Sequence, residues 1–192
     1  MGRTIDDVRA VLLTHGHSDH IGFAERARRA GIPLKVHELD AALARSEVPN
    51  PARGRGPVSL LPLLGFLVFS ARKGLLRIPT IRAVATFGDG ATLDVPGAPQ
   101  VIHVPGHTPG SAALHFPAHD ALFVGDALAT YAVTTGRQGP QLAPFTADRA
   151  QALESLRRLE DSPASLLLPG HGPAWSGGAK VAVEQVRSLE VI

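Results

Sequence analysis

The stretch THGHSDH, residues 14–20, follows directly on the apolar run VRAVLL, residues 8–13. The run is typical of a strand that is buried on both faces. Because residues two apart in an extended chain project to the same side, His15 and His17 can bind one ion from one direction. Asp19 and His20 fall at the turn into the next helix and can face a second ion. A single histidine here would more often be a core residue, but the cluster favours a metal site.

Three later segments have the same form, an apolar strand that ends in a glycine-containing turn with one type of polar metal ligand. They are HVPGHTPGS at 103–111 with His107, FVGDAL at 123–128 with Asp126, and LLLPGHGP at 166–173 with His171. Each alone is a weak signal, since Gly-Asp after a strand is usually a turn. Together with residues 14–20, these segments supply five histidines and two carboxylates, which are nitrogen and oxygen donors that zinc accepts at about 2.0–2.2 Å. The combination therefore predicts a metal centre.

The ordered set H-x-H-x-D-H, G-H-T, G-D and G-H resembles the metallo-β-lactamase superfamily, and in particular its glyoxalase II and lactonase branches. The resemblance extends from about Val8 to Pro173. It implies a first ion on His15, His17 and His107, a second ion on Asp19, His20 and His171, and Asp126 as the bridge. It also implies two divalent cations, with zinc as the expected metal and iron or manganese as alternatives.

The activity implied by this resemblance is the hydrolysis of a small ester, lactone or thioester. Two cations about 3.5–4 Å apart can share a water molecule and lower its pKa toward 7, which makes a nucleophile without any serine or cysteine. We expect Asp19, at the edge of the site, to pass a proton to the leaving group. Two alternatives stay open: phosphodiester cleavage by the same metals, and a non-catalytic metal-binding or oligomerising remnant of the fold.

The composition excludes several other classes of protein. The chain has 192 residues and no cysteine, so thiolate zinc sites, iron–sulfur clusters and cysteine nucleophiles are absent. A net charge of +2 is too small to predict a nucleic-acid partner. The longest apolar stretch, residues 58–69, is shorter than the roughly 20 residues of a spanning helix. We expect no stable membrane insertion, no secretory signal, and a cytoplasmic protein that acts on a small molecule.

The order of elements predicts an α/β or α+β protein, an αββα sandwich by the resemblance. We predict a strand before residue 14, a helix over 21–30, a strand over 34–36, short strands from residue 91 onward and a strand over 166–168. Thr146 is the expected N-cap of the helix that follows it. The chain is interpreted as one domain, 1–192, with an insertion or lid at about 47–90.

Some residues outside the motif have two interpretations each. The apolar stretch 58–69 can be a lid or substrate wall, in which case the substrate carries an acyl or other apolar group, or it can be a core helix. Tyr131 can donate a hydrogen bond to the substrate or simply pack. His103 can support a metal ligand from behind, or it can be structural.

The chain departs from the family in its first residues, since only thirteen precede Thr14. Family members normally have several strands there, so we expect an N-terminally truncated form of the sandwich. A sheet that lacks these neighbours exposes an edge and an apolar face. We therefore expect a homo-oligomer.

Overall fold

A computed structural model of the chain describes residues 2, 4–52, 57–72, 74 and 80–190. Its strands are β1 (Val11–Leu12), β2 (Leu34–His37), β3 (Ala85–Phe87), β4 (Gln100–His103), β5 (Ala112–Phe116), β6 (Ala121–Gly125), β7 (Ala129–Tyr131), β8 (Gln138–Gln141) and β9 (Leu166–Pro169). Its α-helices are α1 (Ala24–Arg29), α2 (Ala41–Ala44), α3 (Leu60–Arg72), α4 (Arg149–Ser155) and α5 (Ala179–Glu190). The predicted mixture of helices and sheets is confirmed.

Two sheets form the centre of the molecule. The first has the order β1-β2-β3 with all strands parallel, and the second has the order β4-β5-β6-β9. In the second sheet β4, β5 and β6 are antiparallel, whereas β6 and β9 run parallel. A separate hairpin pairs β7 with β8. The carboxyl ends of the parallel strands β6 and β9 therefore lie at the same edge of the second sheet.

The apolar residues divide into three layers, as alternation along the strands requires. Leu12 of β1 packs with Val101 and Leu114 of the second sheet, so the two sheets face each other. The residues that point away from this interface pack under helices: α1 and α2 cover the first sheet, and α4 and α5 cover the second. The arrangement is the predicted helix–sheet–sheet–helix sandwich.

Helix α5 shows why these outer helices form. Its buried residues recur at the spacing of one helical face, namely Ala179, Ala182, Val183 and Val186. Removing an apolar stripe of this kind from water contributes about 25 cal/mol per Å² of buried surface. The stripe therefore holds α5 against the second sheet.

The described residues of the segment 47–90 include two elements with different surroundings. Helix α3 is apolar on all sides but exposes most of its length, with Leu60 and Leu61 each 79% exposed. Strand β3, by contrast, pairs with β2 and belongs to the first sheet. In the part of the chain that the structure describes, no helix has the length and apolar content needed to cross a membrane.

One prediction about a helix start is wrong. Asp148, not Thr146, is the N-cap of α4, and its Oδ1 accepts a hydrogen bond from the backbone N–H of Gln151 (2.9 Å). The hydroxyl of Thr146 instead donates to the carbonyl oxygen of Ala143 (2.7 Å). The turn before the helix thus places Thr146 toward the interior, where it contacts a histidine.

Candidate metal centre

The predicted metal residues all lie in loops that follow strands. The loop after β1 carries His15, His17, Asp19 and His20, and the loop between β4 and β5 carries His107. Asp126 follows directly on β6, and His171 lies two residues beyond β9. Because these strand ends meet at one edge of the sandwich, their loops converge. The structure brings together all seven side chains that the sequence analysis singled out.

The first group consists of His15, His17 and His107, all of them buried. The Nδ1 atom of His17 lies 2.9 Å from Nε2 of His107. The ring of His15 lies edge-on to both, with centroids 4.9 Å and 4.8 Å away. Three imidazoles around one point form the donor set of a zinc-type site.

Hydrogen bonds to residues outside the group fix which nitrogen of His17 and which nitrogen of His107 faces it. The Oδ1 atom of Asn50 can only accept, so His17 donates to it through Nε2 (2.9 Å) and keeps a lone pair on Nδ1. Thr146 uses its hydroxyl proton on Ala143, so its oxygen accepts from Nδ1 of His107 (3.2 Å). Nε2 of His107 then carries the free lone pair. Such partners orient metal-binding histidines.

The second group consists of Asp19, His20 and His171, which are less buried than the first. Nε2 of His171 lies 3.2 Å from Oδ2 of Asp19. Nε2 of His20 lies 3.6 Å from the same oxygen. One carboxylate and two imidazoles therefore face a common point at the edge of the site.

Asp126 lies between the two groups. Its Oδ2 atom is 3.4 Å from Nε2 of His107 in the first group. The same oxygen is 3.4 Å from Nε2 of His171 and 3.5 Å from Nε2 of His20 in the second. A side chain in this position can contact ions on both sides of it.

Unpartnered buried atoms test whether this centre fits a metal ion. Among the described residues, four buried side-chain atoms lack a hydrogen-bond partner. Three belong to the centre, namely His15 Nε2, His20 Nε2 and Asp126 Oδ1, and the fourth is His115 Nε2 on β5. Buried polar atoms without partners are rare because desolvating them costs free energy. A divalent cation would provide the missing partner, so the donor set fits a divalent metal.

Gly170 permits the close packing of Asp126 against the second group. A Cβ atom at this position would lie 2.2 Å from Oδ1 of Asp126 and 2.5 Å from Cε1 of His20. Both distances are far below van der Waals contact. The glycine of the PGHGP segment is therefore required by the approach of these two side chains.

The electrostatics of the centre separate its residues into neutral and charged ones. Burial lowers the pKa of His107 to about 4 and also lowers the pKa of His15, so both are neutral at pH 7 and can bind metal. Hydrogen bonds to Asp126 and Asp19 raise the pKa of His171 to about 10. Burial alone would raise the pKa of Asp126, but the facing His171 and His20 bring it well below its usual range.

A cavity of about 220 Å³ opens onto the centre. One side is formed by residues of the two groups and their neighbours, including Ser18 and Asn50. The other side is apolar and consists of Phe66 from α3 together with Val133, Pro144 and Phe145. The cavity thus joins a polar, metal-suited wall to an apolar one.

The structure gives the positions of Tyr131 and His103, the two residues outside the motif for which the sequence left two interpretations each. Tyr131 lies on β7, 36% exposed, and is not among the described residues that line this cavity. His103 contacts the His107 loop, with its Nε2 atom 2.8 Å from the carbonyl oxygen of Pro109, and its ring stacks on that of His37. His103 therefore supports the loop without facing the centre.

Two residues that the sequence does not mark support the centre: Asn50 contacts His17, and Asp40 contacts the ligand loops. Asn50 stands between two prolines, and Asp40 lies in a short 3₁₀ turn, Glu38–Asp40. Neither position has a spacing or a neighbouring motif that marks it. Only the fold brings them to the ligand loops.

Comparison with known proteins identifies the family. The family model of the metallo-β-lactamase superfamily matches residues 1–171. The chain belongs to this superfamily, as its motifs predicted. The matched range includes all seven residues of the centre, that is, the two groups together with Asp126.

Similar proteins in other organisms extend this result. An uncharacterized protein of Mycobacterium tuberculosis is 31% identical over 182 residues, which cover 89% of this chain and 72% of that protein. A probable metallo-hydrolase of Bacillus subtilis is also 31% identical over 182 residues and is covered to 66%. A hydroxyacylglutathione hydrolase of Hyphomonas neptunium is 28% identical over 181 residues, 86% of this chain and 67% of that protein.

Solved structures show the same fold. A metallo-beta-lactamase family protein from Thermus thermophilus superposes with a TM-score of 0.67 at 25% identity, over 99% of this chain and 63% of that one. TTHA1623 in a di-iron-bound form superposes with a TM-score of 0.58 at 31% identity, over 90% of this chain and 74% of that one. The chain thus spans 63% to 74% of the length of the relatives and structures compared.

Proposed function

We propose that this protein is a metal-dependent hydrolase that uses two divalent ions on a small ester, lactone or thioester. The observation that carries the proposal is the convergence of seven donor side chains with three unpartnered buried atoms among them. The names of two relatives, a probable metallo-hydrolase and a hydroxyacylglutathione hydrolase, support the reaction class.

The residues take these roles in the proposal. The first ion is held by His15, His17 and His107, the second by Asp19, His20 and His171, and Asp126 bridges the two. When bound, the two ions supply activation of water and polarisation of the substrate carbonyl. Asp126 stays ionised because its neighbours lower its pKa. Asp19 lines the cavity, and in the proposal its carboxylate takes a proton from the attacking water and passes it to the leaving group.

Zinc is the proposed metal, with iron or manganese as alternatives. Imidazole and carboxylate ligands suit zinc and iron alike, since neither metal requires a thiolate. The di-iron-bound form of TTHA1623 shows that a protein of similar fold holds iron. Elemental analysis of the purified protein distinguishes the three metals.

The apolar wall of the cavity supports a substrate with an apolar or acyl group. Phe66 and Phe145 are neighbours in this wall, with ring centroids 6.3 Å apart. Phe66 is part of α3, in which four of the five leucines, Leu60, Leu61, Leu64 and Leu67, are exposed. We therefore propose that α3, within the segment 47–90, serves as the lid of a single domain and that Phe66 contacts the acyl group.

Self-association stays a prediction. The apolar surface that would support it includes a cleft beside β1, the edge strand of its sheet, where Phe123 is 42% exposed. Analytical ultracentrifugation at micromolar concentration tests it, and a monomer at all concentrations would contradict it.

The experiment that tests the function combines metal content with turnover. The protein is loaded with Zn²⁺ and assayed on p-nitrophenyl esters, a lactone panel, a thioester and bis-p-nitrophenyl phosphate. We expect about two ions per chain and hydrolysis of at least one carbonyl substrate. His119→Ala serves as a control, because it removes an exposed histidine outside the two groups. It should keep the metal content and the turnover of the original protein. Turnover of the phosphodiester alone, or bound metal without any turnover, would replace the proposal with one of the two alternatives.

A further inference from the structure

Asp40 is a buried carboxylate that joins two of the ligand loops. Its side chain is fully buried, and it accepts three short hydrogen bonds of 2.7 Å each. The backbone N–H of Gly16 and the hydroxyl of Thr108 donate to Oδ2, and the backbone N–H of Gly110 donates to Oδ1. Hydrogen bonds to an ionised acceptor are among the strong ones in proteins.

The three donors stand beside ligands of one group only. Gly16 lies between His15 and His17, and Thr108 directly follows His107. Asp40 therefore connects the loop that carries His17 to the loop that carries His107. These are the two histidines whose facing nitrogens lie 2.9 Å apart.

The backbone is shaped for this contact. A Cβ atom on Gly110 would lie 2.5 Å from the backbone nitrogen of Asp40 and 2.6 Å from its Cβ. Only a glycine allows the His107 loop to approach Asp40 so closely. The hydroxyl of Thr108 donates to Asp40 and so accepts from Ser111 Oγ (2.8 Å), which completes the network within the loop.

We infer that Asp40 is a positioning residue for the first ligand group. Its carboxylate sets the spacing of His17 and His107, and so controls the affinity of that group for metal. The inference rests on the proposed function, because it assumes that the group holds an ion. The hydrogen bonds of Asp40 within the described residues reach none of Asp19, His20 and His171, so the second group depends on it less.

The chain offers a matched control in Glu25. This carboxylate is also buried, 2% exposed, and accepts hydrogen bonds from Arg28, Arg29 and the backbone N–H of Arg82. Glu25 lies on α1 and contacts neither ligand group through these bonds. Glu25→Gln therefore measures the cost of neutralising a buried carboxylate elsewhere in the fold.

The test uses two backgrounds that each keep one ligand group. His171→Ala disables the second group and His17→Ala disables the first, and Co²⁺ binding is followed by its visible absorption. We expect Asp40→Asn to lower Co²⁺ affinity about 10- to 100-fold in the His171→Ala background. In the His17→Ala background we expect a loss of less than about threefold, and Glu25→Gln should have no effect in either.

Each other outcome counts against the inference. An equal loss in both backgrounds, or the same loss with Glu25→Gln, would show a general structural role, and no loss in the His171→Ala background would show no role. If Asp40→Asn does not fold, Thr108→Val removes a single donor and should lower affinity in the same background only. If the His171→Ala parent binds no Co²⁺ at all, the proposed metal centre itself is refuted together with the inference.

Discussion

The ligand loops and helix α3 border the same cavity but are held in different ways. In the loops, His15, His17 and His107 are buried, and each of the three rings has a hydrogen-bond partner on one of its nitrogens. In α3, Leu61 is 79% exposed, and Phe66 is the residue of the helix that reaches the cavity. The comparison shows that one wall has a fixed geometry suited to chemistry. The other wall supplies apolar surface with few constraints.

The cause of this difference lies in the pattern of each sequence. A helix with a single apolar face, such as α5, has one way to pack and buries that face. Helix α3 is apolar on all sides, and Ser70 is the one residue of this helix that is buried. The ligand loops follow strands that are fixed by pairing on the sheet. Their side chains therefore have positions that the sheet determines.

The largest expected effect comes from removing the residue between the two groups. Asp126→Asn replaces a carboxylate oxygen with an amide group that cannot bind a cation in the same way. We expect loss of at least one ion per chain and a fall in kcat/KM on the order of 10³-fold. Elemental analysis and ester hydrolysis measure both. Full turnover with both ions retained would show that the fixed wall is not where the reaction occurs.

A smaller effect is expected from the residue that orients His17. Asn50→Leu removes the acceptor for Nε2 of His17, so the ring loses the hydrogen bond that selects its tautomer. We expect metal affinity to fall about 10- to 100-fold. Asn50→Asp keeps an acceptor oxygen and should restore most of the affinity. Equal affinity for all three proteins, measured by chelator competition, would contradict this account.

The seven residues of the centre were predictable because each follows a strand signal within a few positions. His15 and His107, for example, come after apolar runs whose ends must meet at one edge of a sheet. Asn50 and Thr146 were not predictable as partners, since they lie 33 and 39 residues from the histidines they contact. Contacts at such separations depend on loop paths that local patterns do not determine. The prediction of Thr146 as the N-cap of α4 is wrong because two nearby residues, Thr146 and Asp148, both fit the local pattern of a cap, and Asp148 is the one that caps the helix.

The layers of the sandwich were also predictable, whereas the position of α3 was not. Alternation along β5 distributes Ala113 to the helix layer and Leu114 to the interface between the sheets. For α3, an apolar sequence fits a core helix and a lid equally well. Its place depends on tertiary contacts such as that of Phe66 with Phe145, which no local pattern encodes.

The two ligand groups should respond differently to pH. His171 has its pKa raised to about 10 by Asp126 and Asp19, so in the metal-free protein it is protonated at pH 8. Metal must displace that proton, and affinity at the second group should therefore rise by up to about tenfold per pH unit between pH 7 and 9. His107, with its pKa lowered to about 4, has no proton to release there.

The same shift affects the stability of the metal-free protein. A raised pKa in the folded state contributes stability that is fully present below about pH 6.5 and is lost as the pH rises through about 10. We expect the free energy of unfolding to decline over that range and the decline to be smaller in His171→Ala. Denaturant titrations at several pH values measure it. An identical pH dependence in the variant would show that the interaction of His171 with Asp126 and Asp19 does not contribute to stability.

The smallest effects are expected on the apolar wall, and they test whether α3 acts through one side chain. Phe66→Ala removes the ring that faces Phe145 in the cavity, whereas Leu64→Ala changes a residue that is 53% exposed and outside the cavity lining. Loss of about 1 kcal/mol of apolar contact corresponds to about a fivefold fall in kcat/KM for a long acyl ester. We expect a short acetyl ester to lack this contact and to be hydrolysed at the same rate by both variants. Because neither side chain is buried in the core, both variants should unfold within about 0.5 kcal/mol of the original protein. A fivefold fall in Leu64→Ala as well would mean that the whole helix, and not Phe66 alone, forms the wall.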